Sequence, residues 1–483
     1  MQSRHLFVTS IIAFLLWGLS LSAIADMDEW QRYQTSNFTI YSDKDADDVE
    51  EVLSNFEIFR ATVNQLVSIK DDAVLAPATI YMFNSSADFR RFTKSRNTAG
   101  YYVNSSNGPI MVVGPKALGI DSMSVLYHEY IHYLVRARSP MKYPTWYDEG
   151  IAEFFSTIKI GKDKVTIGGI PKHRETMLIS FRPMALEELF SLSNTYSNSS
   201  FKADQIYSSA WLAVNFLTLS KLNGGEDFAP PMKQFLARFN NGVEWREAFD
   251  QSFDISLEQL DEKMRAYGRK SRLVAAQLDL PNVKTTVQKT PLSEGQALSI
   301  LAQMASLSGS QELSAELIEE AFEKGDPTAK SVRAVLFAAT NQPQLALALI
   351  EEVETETAKH PWVHFYAGKT YSLMSKNGVE GAKNFRAKAF EHFKLLKERQ
   401  ISPLVLTELI DLYWRTGDKQ QAIDELVQLV NLMPSSIEVN LMAGEYMAKV
   451  DSNDYAQYFL QNVLAWSHNP KYTVRARSLL KKL

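Results

Sequence analysis

One short run constrains this chain more than any other part of it, because it puts two possible metal ligands on one helix face. The run reads His128-Glu129-Tyr130-Ile131-His132. On a helix, the i and i+4 spacing places both imidazoles one turn apart on the same side, where they can hold one cation. Glu129, beside the first imidazole, has the position of the general base in an HExxH motif. The run therefore predicts a helix that carries a metal site.

A second run supplies a carboxylate for the same cation. It reads Trp146-Tyr147-Asp148-Glu149-Gly150-Ile151-Ala152-Glu153, and Glu149 follows His132 after sixteen intervening residues. Pro140 and Pro144 mark a turn between two helices, which can bring Glu149 back against the imidazoles. Two histidines and one glutamate leave a fourth position open, as in catalytic rather than structural zinc sites. The ligand set therefore predicts Zn²⁺ as the cofactor.

The two runs resemble those of the gluzincin metallopeptidases, in which HExxH is followed by a glutamate on the next helix. The form Trp-x-x-Glu-Gly-x-Ala is most similar to the aminopeptidase N family and to the peptidase-MA-like domains of exported bacterial proteins, with a slightly shorter spacing here. The resemblance implies a zincin-like fold with Glu149 as the third ligand. It also implies that Glu153 orients a ligand imidazole; the alternative is that Glu153 binds the metal in place of Glu149. Asp148 is predicted as a helix N-cap.

The same resemblance implies a tyrosine that stabilises the oxyanion formed during hydrolysis. In the aminopeptidase-like members this tyrosine opens a downstream helix, a position matched here by Ile206-Tyr207-Ser208-Ser209-Ala210-Trp211. Tyr207 is therefore the candidate, and a purely structural role for it is equally open. Tyr147 and Tyr127 are the alternatives.

The region before the HExxH helix lacks a feature of the aminopeptidases. Those enzymes hold the free amine of the substrate with acidic residues in a strand, whereas no Asp or Glu occurs here between Asn97 and Ile120. The resemblance therefore implies an endopeptidase rather than an exopeptidase. Pro109–Val113 is predicted as an edge strand that could pair with an extended peptide.

The first half of the chain mixes strand and helix patterns. Apolar runs predict strands at Asn37–Tyr41, Thr79–Phe83 and Pro109–Val113. Helical patterns occur at Ala46–Val67, from Ser122 (after a cap-like Asp121) to before Pro140, from Pro144 to Ile158, and at Ser208–Lys221, Pro231–Asn240 and Leu257–Tyr267. This order predicts an α+β catalytic domain at residues 26–272.

The second half is predicted to be helical throughout. Residues 273–290 are predicted as a polar linker, and amphipathic helices then recur with a period near 34 residues. The clearest unit, Leu409–Pro434, places Tyr413, Gly417, Ala422 and Pro434 at the offsets of the tetratricopeptide (TPR) pattern, in which small residues let two helices approach closely. We expect an all-α tetratricopeptide-like solenoid at residues 291–483, with a plain helical bundle as the alternative.

The first 25 residues have the pattern of an export signal. Arg4 and His5 precede the apolar run Leu6–Trp17, and Ala23-Ile24-Ala25 fits a cleavage site. Cleavage after Ala25 predicts a protein of the bacterial periplasm with no membrane span; an uncleaved signal anchor is the alternative.

The absence of cysteine excludes disulfides and thiolate ligands. A net charge of −5 gives no electrostatic basis for nucleic-acid binding.

Together these patterns predict an exported zinc metallopeptidase that acts on a protein or peptide substrate. Zinc would polarise the carbonyl, Glu129 would carry a proton from water to the leaving amine, and Tyr207 would stabilise the oxyanion. The repeats would present a surface to a protein partner. The alternative hypothesis is a catalytically inactive scaffold that binds partners through its repeats.

Overall fold

The computed structural model describes residues 29–67, 75–93, 100–105, 107–115, 122–138, 142–192, 199–354, 361–399, 401–467 and 469–483. The predicted signal peptide at residues 1–25 and the cap residue Asp121 lie outside these ranges. The described chain is mostly helical, with a six-stranded sheet and a three-stranded sheet in its first half.

The larger sheet holds the three predicted strands in its interior. Its order is β4-β5-β3-β2-β1-β9, in which β2, β3 and β5 are parallel and the outer pairings are antiparallel. The strands are β1 (Gln31–Gln34), β2 (Phe38–Ser42), β3 (Ala78–Met82), β4 (Gly100–Ser105), β5 (Gly108–Val113) and β9 (Gln288–Pro291).

The edge of this sheet differs from the prediction. The segment Pro109–Val113 belongs to β5, which pairs with β3 on one side and β4 on the other, so it is an interior strand. Among the described residues the edge strands of this sheet are β4 and β9, neither of which the sequence analysis predicted. Asn107-Gly108 at the β4–β5 turn is a strong hairpin signal that would have revealed β4. Any peptide that extends the sheet on this side therefore pairs with β4.

One face of the sheet packs against two long helices, α1 (Ala46–Leu66) and α3 (Ser122–Arg138). Successive side chains of a strand point to opposite faces, and alternate residues of β2, β3 and β5 enter this core, among them Ile40, Ile80 and Met111. They meet aromatic rings of both helices, such as Phe59 stacked on Tyr127 with ring centroids 4.0 Å apart. The sheet thereby forms the floor under α3, the helix of the HExxH run.

The opposite face of the sheet is covered by the second half of the chain. Tyr81, Ile110 and Val112 point away from α3 and pack against Leu298 and Leu301 of α11 (Glu294–Leu307). The two halves therefore share one hydrophobic core, and α11 is as much a layer of the first domain as the start of the repeats.

A second junction ties the repeats to the α3 helix itself. Tyr133 of α3 donates a hydrogen bond to the carbonyl of Ala76 (2.8 Å), and the amide of Ala76 donates to the carbonyl of Leu432 in the repeats (3.0 Å). Ala76 is buried in the same apolar cluster as Leu429 and Val439. The backbone just before β3 is thus held from both sides.

Helix α7 (Ser200–Leu219) is apolar on nearly all sides and lies at the centre of the other helices that follow α3 in the first half. The helices in contact with it are α4 (Thr145–Ser156), α5 (Glu175–Ser180), α6 (Leu186–Phe190), α8 (Ala229–Asn240) and α10 (Leu257–Gly268). Helix α9 (Trp245–Asp250) packs on α8, whereas α2 (Ser86–Arg91) lies on the opposite face of the sheet, where Phe89 joins the cluster of Leu298. Gly150 lets α4 lie directly on α7, because a Cβ at this position would be 2.6 Å from the carbonyl oxygen of Ala210. This close contact fixes the position of α4 relative to α3.

The predicted linker is structured and pairs with both sheets. Its residues include β8 (Ala276–Asp279) and most of β9. Strand β8 pairs with β7 (Lys164–Ile167) next to β6 (Lys159–Ile160), and β9 pairs with β1. The segment predicted as a polar linker at residues 273–290 therefore contains paired strands, whose polar residues lie on exposed strand faces.

The second half consists of antiparallel helices in succession, as predicted for a helical repeat region. They are α11, α12 (Gln311–Glu323), α13 (Pro327–Ala339), α14 (Pro343–Val353), α15 (Pro361–Lys376), α16 (Ala382–Arg399), α17 (Pro403–Thr416), α18 (Lys419–Leu432), α19 (Ile437–Lys449), α20 (Asn453–Trp466) and α21 (Pro470–Leu480). Gly417 ends α17 in the left-handed conformation (φ 84°). Gly444 lets α19 approach α20, since a Cβ there would be 2.6 Å from Leu460. No helix among the described residues is long and apolar enough to cross a bilayer.

The shared core makes a testable prediction about Leu298, which is fully buried between α11 and the sheet. We expect Leu298→Ala to lower the free energy of unfolding by about 2–5 kcal/mol, as for other buried leucines. Because the core spans both halves, denaturant should unfold the α3 helix in the same transition as the repeats. Circular dichroism and hydrogen exchange measure this.

Val474→Ala is the matched control, because Val474 is 61% exposed; its cost should stay within about 0.5 kcal/mol. Unfolding of the repeats alone in Leu298→Ala, with an intact first half, would contradict a shared core.

Candidate metal centre

Helix α3 presents two imidazoles in register because its other side is anchored in the core. Leu126, Ile131 and Leu134 are fully buried against α1 and the sheet. The opposite side carries His128 and His132, whose Nε2 atoms lie 3.3 Å apart. The two rings are near perpendicular, with centroids 5.0 Å apart. Both Nε2 atoms thus converge on one point, as the i and i+4 spacing predicts.

Helix α4 brings Glu149 to the same point. Its Oε2 atom lies 3.3 Å from Nε2 of His128 and 3.4 Å from Nε2 of His132. Among the described residues, these three are the one group of His, Asp and Glu side chains that could share a metal ion. The predicted ligands therefore come together, although they lie on two different helices.

The spacing of these three atoms fits a zinc ion. They form a nearly equilateral triangle with edges of 3.3, 3.3 and 3.4 Å. Tetrahedral ligands at the usual zinc distances of ~2.0–2.1 Å are separated from one another by about 3.3–3.4 Å. The donor set of two nitrogens and one oxygen is also that of catalytic zinc sites.

A second carboxylate faces the far nitrogen of each imidazole. Oε1 of Glu153 lies 3.6 Å from Nδ1 of His128, and Oδ2 of Asp148 lies 3.5 Å from Nδ1 of His132. Such carboxylates fix the ring orientation and the tautomer of a metal-binding histidine. Glu153 thus has the geometry of the orienting residue, not that of the alternative ligand.

Asp148 corrects the prediction of an N-cap. Helix α4 begins at Thr145, and Pro144 occupies its N-cap position. Asp148 lies one turn inside the helix, where its side chain turns towards α3 rather than towards the backbone amides of its own helix. Pro144 has no side chain that could donate or accept a capping hydrogen bond at this end of the helix.

Each orienting carboxylate is held by an arginine that the sequence analysis missed. Arg136 of α3 donates to Oδ2 of Asp148. Arg174, in a 3₁₀ turn at Lys172–Arg174, donates to Oε1 of Glu153 at 2.8 Å, and His173 contacts Oε2 at 3.3 Å. Arg136 could have been recognised, because it follows His132 by four residues on the same face. His173 and Arg174 carry no local signal, since they come from a separate loop.

Burial of these charges shifts their titration strongly. Burial alone would lower the pKa of His132, but the charges of Asp148 and Glu149 raise it to about 10. The pKa of His128 is also raised, by Glu149 and Glu153 against the effect of burial. Burial opposes ionisation of Glu149, yet the two imidazoles hold its pKa well below its ordinary value. In the metal-free protein the carboxylates therefore favour protonation of the imidazoles, and the 3.3 Å contact between the two Nε2 atoms holds one proton between them.

The sign of the corresponding pH dependence follows from the raised pKa of His132. Its contribution to the stability of the metal-free protein is fully present below the ordinary histidine pKa of 6.5. It is lost as the pH rises through about 10. A metal must displace these protons, so metal affinity falls as the pH falls.

The predicted general base and oxyanion stabiliser lie beside this triangle. Glu129 is partly exposed on α3. Burial and then the charge of Glu129 raise the pKa of Tyr102, a residue of the edge strand β4. The ring of Tyr207 stands edge-on to His128, with centroids 6.0 Å apart, and Arg174 lies over that ring at 4.8 Å. Burial raises the pKa of Tyr207, so its hydroxyl keeps its proton.

The helix that carries Tyr207 begins earlier than predicted. Helix α7 starts at Ser200, where Ser199 caps the amide of Lys202, so Tyr207 lies inside the helix rather than at its start. The two alternative tyrosines face elsewhere. Tyr127 stacks on Phe59 in the core, and Tyr147 packs against Tyr143 with ring centroids 5.2 Å apart.

No protein-family model matches this chain, and no curated protein matches it in sequence. One structural match covers 39% of this chain and 99% of a thermophilic TPR protein of Thermus thermophilus, with 18% sequence identity and a TM-score of 0.33. A TM-score this low does not establish a common fold.

The paired carboxylates make a prediction about metal affinity. We expect Glu153→Gln and Asp148→Asn each to raise the Kd for zinc by about 10- to 100-fold, because the imidazole loses its orienting partner. Competition with a chromophoric chelator measures the Kd, and thermal unfolding checks that each variant is folded.

Glu188→Gln is the matched control, because Glu188 is an exposed acid of the same half with only a 3.8 Å contact to Lys202. Its zinc affinity should equal that of the unmodified protein. Folded Glu153→Gln and Asp148→Asn proteins with unchanged affinity would show that neither carboxylate orients a ligand.

Proposed function

We propose that this protein is a zinc-dependent peptide hydrolase of the gluzincin type, with a zincin-like domain at residues 26–272. The proposal rests on one observation above all: Nε2 of His128, Nε2 of His132 and Oε2 of Glu149 lie 3.3–3.4 Å from one another. That spacing fits three ligands of one tetrahedral zinc ion, with a fourth position for water or substrate.

Several residues around the three ligand atoms have separate roles in the proposed hydrolysis. A zinc ion held there would supply Lewis-acid chemistry, polarising a carbonyl and making a nearby water more acidic. Glu129 accepts the proton of the attacking water and passes it to the leaving amine. Tyr207, which keeps its proton, donates a hydrogen bond to the oxyanion. Glu153 and Asp148 hold the two imidazoles at the angle that aims both Nε2 atoms inward.

The free edge of β4 suggests how a substrate lies. An extended peptide can add to this edge as a further strand, with its backbone beside α3. Residues 98–119 contain no acid that could hold a free terminal amine. We therefore propose an endopeptidase that acts within an extended polypeptide segment.

Export is part of the proposal and rests on the first 25 residues alone. Their basic start, apolar run and Ala-Ile-Ala site fit a cleaved signal peptide. The proposed location is the bacterial periplasm.

The repeat region supports a second candidate function, a scaffold that binds protein partners. Successive antiparallel hairpins form the extended surfaces that such proteins use. Exposed apolar side chains, among them Tyr455 at 65% and Val474 at 61%, lie at the end of the array. Under this alternative the first half would have no catalytic activity.

Glu129→Gln separates the two functions. Under the enzyme proposal the variant keeps one zinc per chain, because Glu129 is not a ligand, and its peptide cleavage falls by about 10²–10⁴-fold. Metal content is measured by mass spectrometry of purified protein, and cleavage by fluorogenic peptide libraries.

The unmodified protein, expressed in parallel, is the control. If it binds no stoichiometric metal when zinc is supplied, or if Glu129→Gln cleaves as fast, the scaffold function is favoured instead. A zinc-loaded protein that hydrolyses only non-peptide amides would keep the site and change the substrate class.

Tyr207→Phe tests the oxyanion role. We expect kcat to fall by about 10²–10³-fold while KM changes little, because the hydrogen bond forms only in the transition state. Steady-state kinetics measure both, and Tyr455→Phe, on an exposed tyrosine of α20, is the matched control. A raised KM with unchanged kcat would assign Tyr207 to substrate binding.

A further inference from the structure

A second histidine pair lies in the repeat region, far along the chain from the candidate metal centre. His364 of α15 and His392 of α16 face each other with their Nδ1 atoms 3.0 Å apart. His364 is only 6% exposed. The contact joins two consecutive helices that form one hairpin of the array.

This contact requires at least one neutral ring. A hydrogen bond between two imidazole nitrogens needs one N–H donor and one bare acceptor. If both rings are protonated, two N–H groups and two positive charges meet at 3.0 Å. The contact then changes from attractive to repulsive.

The charges that act on the pair are positive. Arg399 acts on His364, and Lys388 acts on His392. The ring of Tyr371 of α15 lies against the His392 ring, with 5.7 Å between centroids, and Lys388 lies over the Tyr371 ring at 5.0 Å. Within the described part of the chain, nothing in this immediate environment compensates a second proton.

Charged groups on the other helices packed against this hairpin are engaged elsewhere. Lys330 and Arg333 of α13 pair with Glu352 and Glu319. From α14, Glu351 and Glu354 act on Tyr371. From α17, Glu408 pairs with Lys369, and Asp411 pairs with Arg415, which also donates to Ser372. Lys397 of α16 pairs with Glu425 of α18.

The two helices that carry these rings are closely packed beside them. A Cβ added at Gly368 would lie 2.9 Å from the Phe393 ring and 3.1 Å from Cβ of His392. Phe393 itself is fully buried between the helices. The two helices are therefore in close contact beside the pair, so repulsion between charged imidazoles acts on the α15–α16 contact itself.

We propose that the His364–His392 pair is an acid-sensitive latch, which holds the α15–α16 hairpin closed at neutral pH and releases it on acidification. The latch is independent of the proposed peptidase activity.

The direction of the pH effect agrees with the surroundings of the pair. Burial, then His364 and Lys388, lower the pKa of His392 to about 4, and burial with Arg399 lowers the pKa of His364. Histidines in the open hairpin regain the ordinary value of 6.5. The open form therefore binds more protons, so the closed form loses stability as the pH falls from about 6.5 to about 4.

The test is a pH titration of the full-length protein from about pH 7.5 to about pH 4, which spans the two values between which the closed form loses stability. Labelled-histidine NMR gives the pKa of each imidazole, and hydrogen exchange corrected for intrinsic rates gives the opening of α15–α16. We expect the opening equilibrium of the hairpin to rise by on the order of a hundredfold over this range. His392→Gln removes one titrating group but keeps a hydrogen-bonding side chain, and should flatten this rise.

Glu391→Gln is the matched control, because Glu391 is the exposed neighbour on the same helix; it should open as the unmodified protein does. If His392→Gln is unfolded at neutral pH, His364→Gln replaces it as the variant that removes one titrating imidazole. The latch is refuted if both imidazoles titrate at or above the ordinary value of 6.5, or if His392→Gln opens with the same pH dependence as the unmodified protein.

Discussion

The contact of Glu149 with both imidazoles is the interaction on which the rest of this structure depends. It exists because α4 has one particular position along α3. That position is set by the close contact between Gly150 of α4 and the backbone of Ala210 in α7. A side chain there would push α4 off α7 and carry Glu149 away from His128 and His132. Backbone packing some distance from the chemistry thus decides whether three ligand atoms converge.

Burying the ionised ligands next to one another costs free energy, and the surrounding charged side chains offset that cost. Burial disfavours every ionised group in the cluster. Two series of ion-pair contacts compensate the buried charges: Arg136–Asp148–His132 and Arg174–Glu153–His128. Each carboxylate therefore has a cation on one side and an imidazole on the other, so removal of any one member weakens the compensation of the buried charges that remain.

The sequence predicted the parts of this site that lie on one helix or on two consecutive helices. His128 and His132 follow from helical periodicity and Glu149 from one turn, so their positions could be read locally. The roles of Glu153 and Tyr207 were predicted only through the resemblance to the gluzincins. Arg174 was not predicted, because it comes from a separate loop whose packing against α4 no local pattern encodes. For the fold, the interior strands stood out as apolar runs, whereas β8 and β9 carry polar residues on open faces and resemble loops. Strand β4 is instead rich in aromatic residues, and its Tyr101 and Tyr102 pack on opposite faces of the sheet. The pattern of the repeats did not show that α11 would cover the sheet.

The layer that α11 adds to the sheet has a consequence for how the protein is made. Synthesis begins at the N-terminus, so a nascent chain must extend past Leu307 before the outer face of the sheet can be covered, and past Pro291 before β1 gains its second neighbour. Until then the apolar side chains of β3 and β5 remain open to solvent and to aggregation. The first domain therefore matures only after much of the polypeptide has left the ribosome, and chaperones that bind unfolded chains have a long interval in which to act.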